Sequence, residues 1–408
     1  MLKGEGQESI QRALPALFLA WLALSVIAPH PDLFKAWFHL VLALPAAVWL
    51  TRHRHLIDTR DPLFRLSMGL FLYTGLSSLV ISDADWVGHA HALRWSLEAA
   101  LLVLILFQVL PTLLTRPLFL GRFLIVCTLL GSTASLVMFA FGISNDPTGR
   151  LSGPGALSNP VQAASVLLTY LAMGIFLLWT ERSQLARRDW LLVSAALVLA
   201  FLAVLLSESR AAIFIFSLAV LYCLLVAILT YRAWKALIIA ISCLGIAVSG
   251  IVLLYGGVDG FIEAMLARGA SYRPALWSAL LENPPDSLLF GHGSATNLTN
   301  TAAGLQVFQE TGYRDFHAHN LFIGTFARTG LIGLTVLLAL LGLILHGILR
   351  ATATPMARMH LLGLYAMVLM LCLTDTYTLV ISVKAVWLFT WLPLIMAWLR
   401  VRHGTRGT

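Results

Sequence analysis

The stretch Phe316-His317-Ala318-His319-Asn320 stands where a long polar segment gives way to a strongly apolar one, and it sets two imidazoles two residues apart. Histidine titrates near neutral pH, so a ring held at such a boundary can take a proton from an attacking hydroxyl. Arginines accompany it. Arg210 ends the short Ser207-Glu208-Ser209-Arg210, and Arg268 and Arg273 lie in Arg268-Gly269-Ala270-Ser271-Tyr272-Arg273-Pro274. Arg314 precedes the histidines, and Arg150 sits in a Gly/Pro-rich loop. A guanidinium never loses its charge and offers a planar fork of donors that matches phosphate oxygens in pairs. A base beside several such forks suits chemistry on a diphosphate. For any single arginine ordinary ion pairing suffices: Glu208 is close to Arg210, and Asp315 adjoins Arg314. A lone interfacial histidine is ordinarily structural too. The gathering of both types favours an anion site. Asn320 can orient a histidine or hold a sugar, and the residues alone leave open which of His317 and His319 is the base.

The elements that must position these groups span a membrane. The 408 residues are 59% hydrophobic and 11% charged, with mean hydropathy +0.86, which excludes an ordinary soluble globular protein. A helical crossing needs roughly 20 apolar residues, and about twelve such segments recur. They fall near 13–28, 33–50, 63–82, 92–110, 118–141, 160–180, 190–206, 211–231, 233–255, 319–347, 356–374 and 380–399. No alternating barrel pattern appears, so the expected class is an all-α polytopic membrane protein. It divides into spans one to nine (1–255), a long outer loop (256–318), and spans ten to twelve with a tail (319–408). The first segment follows Lys3 and Arg12 without a small-residue cleavage site before Pro29-His30-Pro31, which reads as a retained span.

Most of the 27 basic residues cluster at one set of segment ends, which places both termini in the cytoplasm. The net charge of +8 is therefore a topology signal, and with no basic, aromatic-interleaved soluble face it does not point to nucleic acid. The outward arginines are the exceptions. Arg210 lies at the interface, where an ionisable residue is costly and usually functional. Arg328, within the tenth span, is expected to be structural, pairing with Asp375 or Glu98 or reaching outward. Loops as long as 256–318 are usually functional. This one carries two amphipathic stretches, 261–266 and 275–281, with Pro274 placing Arg273 near a helix N-terminus, where free amides also attract anions.

Other chemistries find less support. Asp83-Ala84-Asp85 with His89 and His91 can hold a divalent cation, although three-residue acidic patterns recur by chance and Trp86 suits a plain interfacial loop. The expectation is no metal and no cofactor. Gly153-Pro154-Gly155 is too short and proline-rich for a phosphate loop, and no Gly-x-Ser-x-Gly elbow is present. Cys127, Cys223, Cys243 and Cys372 lie inside expected spans without metal-ligand spacing.

His319-Asn320 followed by Gly330 and Gly333 resembles the signature of bacterial O-antigen ligases, a superfamily shared with O-antigen polymerases and bactoprenol-dependent oligosaccharyltransferases. Ser209-Arg210, Arg273 with Trp277, Asn283-Pro284 and Gly291-x-Gly293 are similar to its other marks. The topology is covered throughout; the motifs span about 207–333. The resemblance implies a GT-C-like glycosyltransferase of the Gram-negative inner membrane, with its site facing the periplasm. It implies transfer of a polysaccharide from undecaprenyl diphosphate to a lipid A-core sugar, inverting and independent of metal and nucleotide. On this chain His319 becomes the base, and Arg210 and Arg273 hold the diphosphate; Arg268, His317 and Arg150 are weaker candidates. Membrane lipids and the two lipid-linked glycans are the implied partners. The rival readings are a polymerase or protein oligosaccharyltransferase and, more remotely, an anion transporter.

Overall fold

The computed structural model describes residues 2–53, 58–143, 146–219, 257–260, 263, 273–312, 314, 317–351 and 354–405, with backbone alone for 2–12, 49–53 and 403–405. Among these residues every regular element is helical. An apolar helix satisfies all its backbone polar groups internally, which is what a hydrocarbon surrounding demands. Helix α1 is Leu2–Ile27; α2 (Pro31–Trp37) runs through a π turn, Phe38–Ala43, into α3 (Leu44–His53). Then come α4 (Pro62–Val80), α5 (Trp86–Leu114), α6 (Pro117–Ala140), α7 (Pro160–Thr180), α8 (Arg187–Leu206) and α9 (Arg210–Ala219). After the long loop, with α10 (Arg273–Glu282) and α11 (Ala302–Thr311), follow α12 (Leu321–Arg350), α13 (Pro355–Thr374), α14 (Val386–Phe389) and α15 (Trp391–Thr405).

Eight of the described helices are long and apolar enough to cross a membrane, and Ala13–Ile27 and Arg210–Ala219 are shorter apolar ones. The chain is a polytopic helical membrane protein. The expected span 233–255 lies outside the described residues, as do most of 211–231 and all but Glu263 of 261–266. Helix starts follow local chemistry. Asp61, Asn159 and Thr354 cap α4, α7 and α13 ahead of a proline in the first turn. Asp85 caps α5 by accepting from Gly88 N at 2.8 Å, so half of the acidic pair that suggested a metal serves as a helix cap.

Aromatic contacts tie the bundle together: Trp21 stacks on Phe34 (5.0 Å), Phe38 meets Trp387 (5.1 Å) and Phe71 meets Trp391 (5.3 Å). At one end, Arg122 grips Asp189 through two bonds of 2.8 and 2.9 Å, joining α6 to α8. Asp61 there receives Trp398 Nε1 at 3.1 Å and Arg402. The candidate site is at the other end.

Two departures from regular helix shape that end. The expected span 380–399 is not one helix: residues 375–385 are irregular, and the helix breaks again at Thr390 (φ −120°, ψ −76°). This stretch is largely buried, with Leu379, Ile381 and Val383 at most 2% exposed, and Trp391 Nε1 donates to Leu379 O at 3.0 Å. Non-helical backbone survives at depth because protein, not lipid, surrounds it. The second departure is at Gly330 in α12, with φ 63° and ψ −163°. Only glycine adopts that conformation readily. The groups it frees are satisfied by residues 288–292 of the loop: Leu331 N and Ile332 N donate to Leu288 O and Leu289 O (2.9 and 3.2 Å), and His292 N donates to Ala327 O (2.8 Å). A side chain at Gly330 would strike the backbone of Leu289, and one at Gly291 the backbone of Arg328 to Gly330.

Candidate functional site

Helix α10 carries Arg273 and Trp277 one turn apart, so both emerge from one face. Trp277 Nε1 donates to Ala318 O at 2.7 Å, pinning the middle residue of His317-Ala318-His319. Ala318 is itself 1% exposed, buried with Leu276, Leu280, Val307 and Ala327 in a small apolar core under the loop. Asn320 then starts α12: its side-chain oxygen accepts from Phe322 N (3.0 Å) and Ile323 N (3.1 Å). Asn320 is thereby a helix cap, its oxygen meeting the first amides of α12.

His319 is held between these two anchors at φ +46°, one of two non-glycine residues with positive φ among those described. The other is Glu208 (φ 49°), in the turn before Arg210. Backbone strain of this kind costs about 1–3 kcal/mol and persists where its surroundings over-determine it, commonly at functional sites. Burial pushes the His319 imidazole down to about 4, with Arg273 and then His317 adding to the effect. The ring is neutral at physiological pH, as a proton acceptor must be. The ring centroids of His317 and His319 are 6.4 Å apart, and His317 stacks on Tyr377 at 4.3 Å.

Arg273 is fixed from below. Its Nη2 donates to Asp375 Oδ1 at 3.1 Å, and Ser165 Oγ of α7 donates to Asp375 Oδ2 at 3.3 Å. Asp375 is buried at the end of α13, whereas Arg273 keeps 24% of its side chain accessible. The carboxylate thus orients the guanidinium and leaves part of it open. Breaking a buried pair costs about 3–5 kcal/mol, and the partial exposure of Arg273 brings that to about 2–3. Asp375→Asn should lower the Tm in detergent accordingly, and an unchanged Tm would refute this pairing.

The remaining arginines separate. Arg150 Nε donates to Ser207 O at 2.8 Å and Leu151 N to Leu206 O at 3.0 Å, so the 146–159 loop clamps the turn leading to Arg210. Arg210 is exposed at the start of α9. This Arg150–Arg210 pair flanks α7 and α8; the His319–Arg273 cluster joins α7 through Ser165. Arg268 lies outside the described residues. Arg314 covers the Phe308 ring at 4.6 Å. Arg328 takes neither expected partner: its Nη1 donates to Ser294 O (3.0 Å) and Thr296 O (3.5 Å). Asp375 is engaged by Arg273, and Glu98 receives His39 (2.9 Å) and Arg94 (3.4 Å). Among the described residues no three His, Cys, Asp or Glu side chains converge as metal ligands.

Sequence reasoning missed Asp375 and Ser165 as parts of the site. The available signal was a lone carboxylate at the end of an apolar segment, which needs a buried partner. It also missed Tyr377, whose stacking on His317 has no local signature.

Comparison with known proteins concerns the same stretch of chain. Residues 195–338 match the family model described as O-antigen ligase. The match includes Arg210, α10, the 288–292 loop and the His319–Gly333 segment. The chain is 25% identical to an O-antigen ligase of Pseudomonas aeruginosa over 334 residues, 80% of this chain and 76% of the relative. The kinked α12, the capped His-Asn start and the arginine-bearing loop thus fall where the family match does, and over that stretch this membrane protein is similar to O-antigen ligases.

Proposed function

We propose that this chain transfers O-antigen polysaccharide from undecaprenyl diphosphate to a sugar hydroxyl of lipid A-core, at the periplasmic face of the inner membrane. The observation that carries the proposal is the placement of a neutral, strained histidine beside an arginine held open by a buried carboxylate. In this reading His319 takes the proton of the acceptor hydroxyl as that oxygen attacks the anomeric carbon. The glycosidic oxygen leaves with the undecaprenyl diphosphate, and attack from the opposite face inverts the configuration. Arg273 and Arg210 compensate the charge that grows on the departing diphosphate. Arg150 acts on Arg210 through the backbone of its turn, and His317 walls the site against Tyr377. The donor supplies the energy of its own bond, so no nucleotide is needed. The diphosphate, arriving next to His319, also strengthens the base by adding negative charge beside it.

The test is transfer by the purified protein between an undecaprenyl-diphosphate-linked glycan and O-antigen-free lipopolysaccharide, with EDTA present and no nucleotide. Glycan on the lipid A-core supports the ligase reading. Longer glycan on the carrier would instead assign a polymerase, and no transfer would remove the reading.

A further inference from the structure

Next to the proposed base lies a cavity of about 340 Å³, bounded by α4, α5, α12 and the irregular 375–385 segment. Its volume is in the ~300–1,000 Å³ range of small-molecule sites. His317 belongs to its wall, and the His319 ring centroid is 6.4 Å from that of His317. The cavity is rich in donors. Arg328 lines it from α12, and Trp95 from α5 with a buried Nε1–H that has no acceptor among the described residues. Thr74, Thr325 and Thr329 add hydroxyls. Among the described residues no aspartate or glutamate lines it.

Arg328 carries the inference. Of the five N–H donors of a guanidinium, the two on Nη1 go to Ser294 O and Thr296 O. Those on Nε and Nη2 have no partner among the described residues, and neither does the charge. A cation at this depth is costly unless an anion answers it. The carbonyls hold the guanidinium in place on the cavity wall. Two aromatic pairs, His91 on Trp95 (6.0 Å) and His317 on Tyr377 (4.3 Å), add flat apolar faces of the kind sugar rings lie against.

We infer that this cavity receives an anionic sugar of the acceptor glycolipid, one bearing phosphate or carboxylate, with Arg328 binding the charge and Trp95 Nε1 donating to a ring substituent. This rests on the ligase reading for the identity of the acceptor. It goes further by naming a charged acceptor group and its partner. A sugar seated there presents its neighbouring hydroxyl past His317 to His319. Arg273 serves the leaving diphosphate on the other side, so the two cations serve two substrates.

The test is equilibrium binding, which needs no transfer. Full-length His319→Asn protein in phosphatidylcholine nanodiscs would be titrated with O-antigen-free lipopolysaccharide, intact and after removal of core phosphate. The intact acceptor should bind about tenfold more tightly than the dephosphorylated one, as a charge-assisted contact requires. Arg328→Gln should lose that preference while undecaprenyl diphosphate binds as before. Trp95→Phe should weaken acceptor binding a few-fold and keep the preference, and it serves if Arg328→Gln does not fold. Equal affinity for both acceptors would overturn the inference. So would loss of diphosphate binding in Arg328→Gln, or full displacement of the acceptor by phosphatidylglycerol, which would assign the cavity to a lipid headgroup. Because the binding arms do not depend on catalysis, failure of transfer and failure of this site are read separately.

Discussion

His319→Asn should fold like the parent and lose transfer by roughly 10²–10⁴-fold, the usual contribution of a general base. Asparagine is the informative choice. His319 sits at φ +46°, and asparagine is among the few residues that tolerate this left-handed conformation. Its side chain does not accept a proton at neutral pH. Alanine would remove the base and strain the turn together, confusing chemistry with folding. The anchors on either side remain in the asparagine variant: Trp277 still donates to Ala318 O, and Asn320 still caps α12. The expected readouts are an unchanged Tm, unchanged donor binding and transfer at background. A His319→Asn protein retaining a tenth or more of the parent rate would remove His319 as the base.

Gly330→Ala should be the most damaging single methyl in the described chain, destabilising by about 3 kcal/mol or more. Two effects add. The conformation at φ 63°, ψ −163° belongs almost wholly to glycine, and the new Cβ would meet the backbone of Leu289 and Phe290 rather than a side chain that can move. Relief would require the 288–292 loop to withdraw. Leu331 N, Ile332 N and Ala327 O would then lose their partners in a water-poor setting. The same loop carries Gly291-His292-Gly293 toward Ser294, whose carbonyl holds Arg328. The damage therefore spreads to the cavity, and thermal unfolding in detergent with acceptor binding at low temperature should register both. A Gly330→Ala protein with parental Tm would show that the loop does not brace the kink.

The bundle was legible because hydropathy is local. Each segment that must cross a membrane carries its own apolar run, and caps such as Asp61-Pro62 and Asn159-Pro160 mark where helices begin. The site was legible in part. His319, Arg273 and Gly330 stood out by type and spacing and Trp277 by the family resemblance, and Trp277 and Gly330 gain a physical reason from the Ala318 carbonyl and the Leu289 backbone. What sequence did not reveal was pairing across long separations. Arg273 and Asp375 are 102 residues apart, and Ser165 and Asp375 are 210 apart. No periodicity encodes such a contact; it follows from how α7, α10 and α13 pack. Assigning Asp375 to Arg328 was reasonable from depth alone and failed for that reason. The irregular 375–385 stretch was also hidden, since a largely buried apolar coil has the hydropathy of a span.

In the proposed mechanism a neutral histidine, kept so by burial and by Arg273, takes the acceptor proton. The measurement closest to it is the pH dependence of kcat/KM for the acceptor, compared between the parent and Arg273→Gln. A base loses activity as pH falls through its own pKa, and kcat/KM reports the free enzyme. Burial, Arg273 and His317 hold His319 down to about 4, so the acid limb of the parent should lie well below the ordinary histidine value near 6.5. Removing the positive charge at residue 273 should move that limb to higher pH, in addition to slowing the reaction. A parental limb near 6.5 that stays in place in Arg273→Gln would contradict the account.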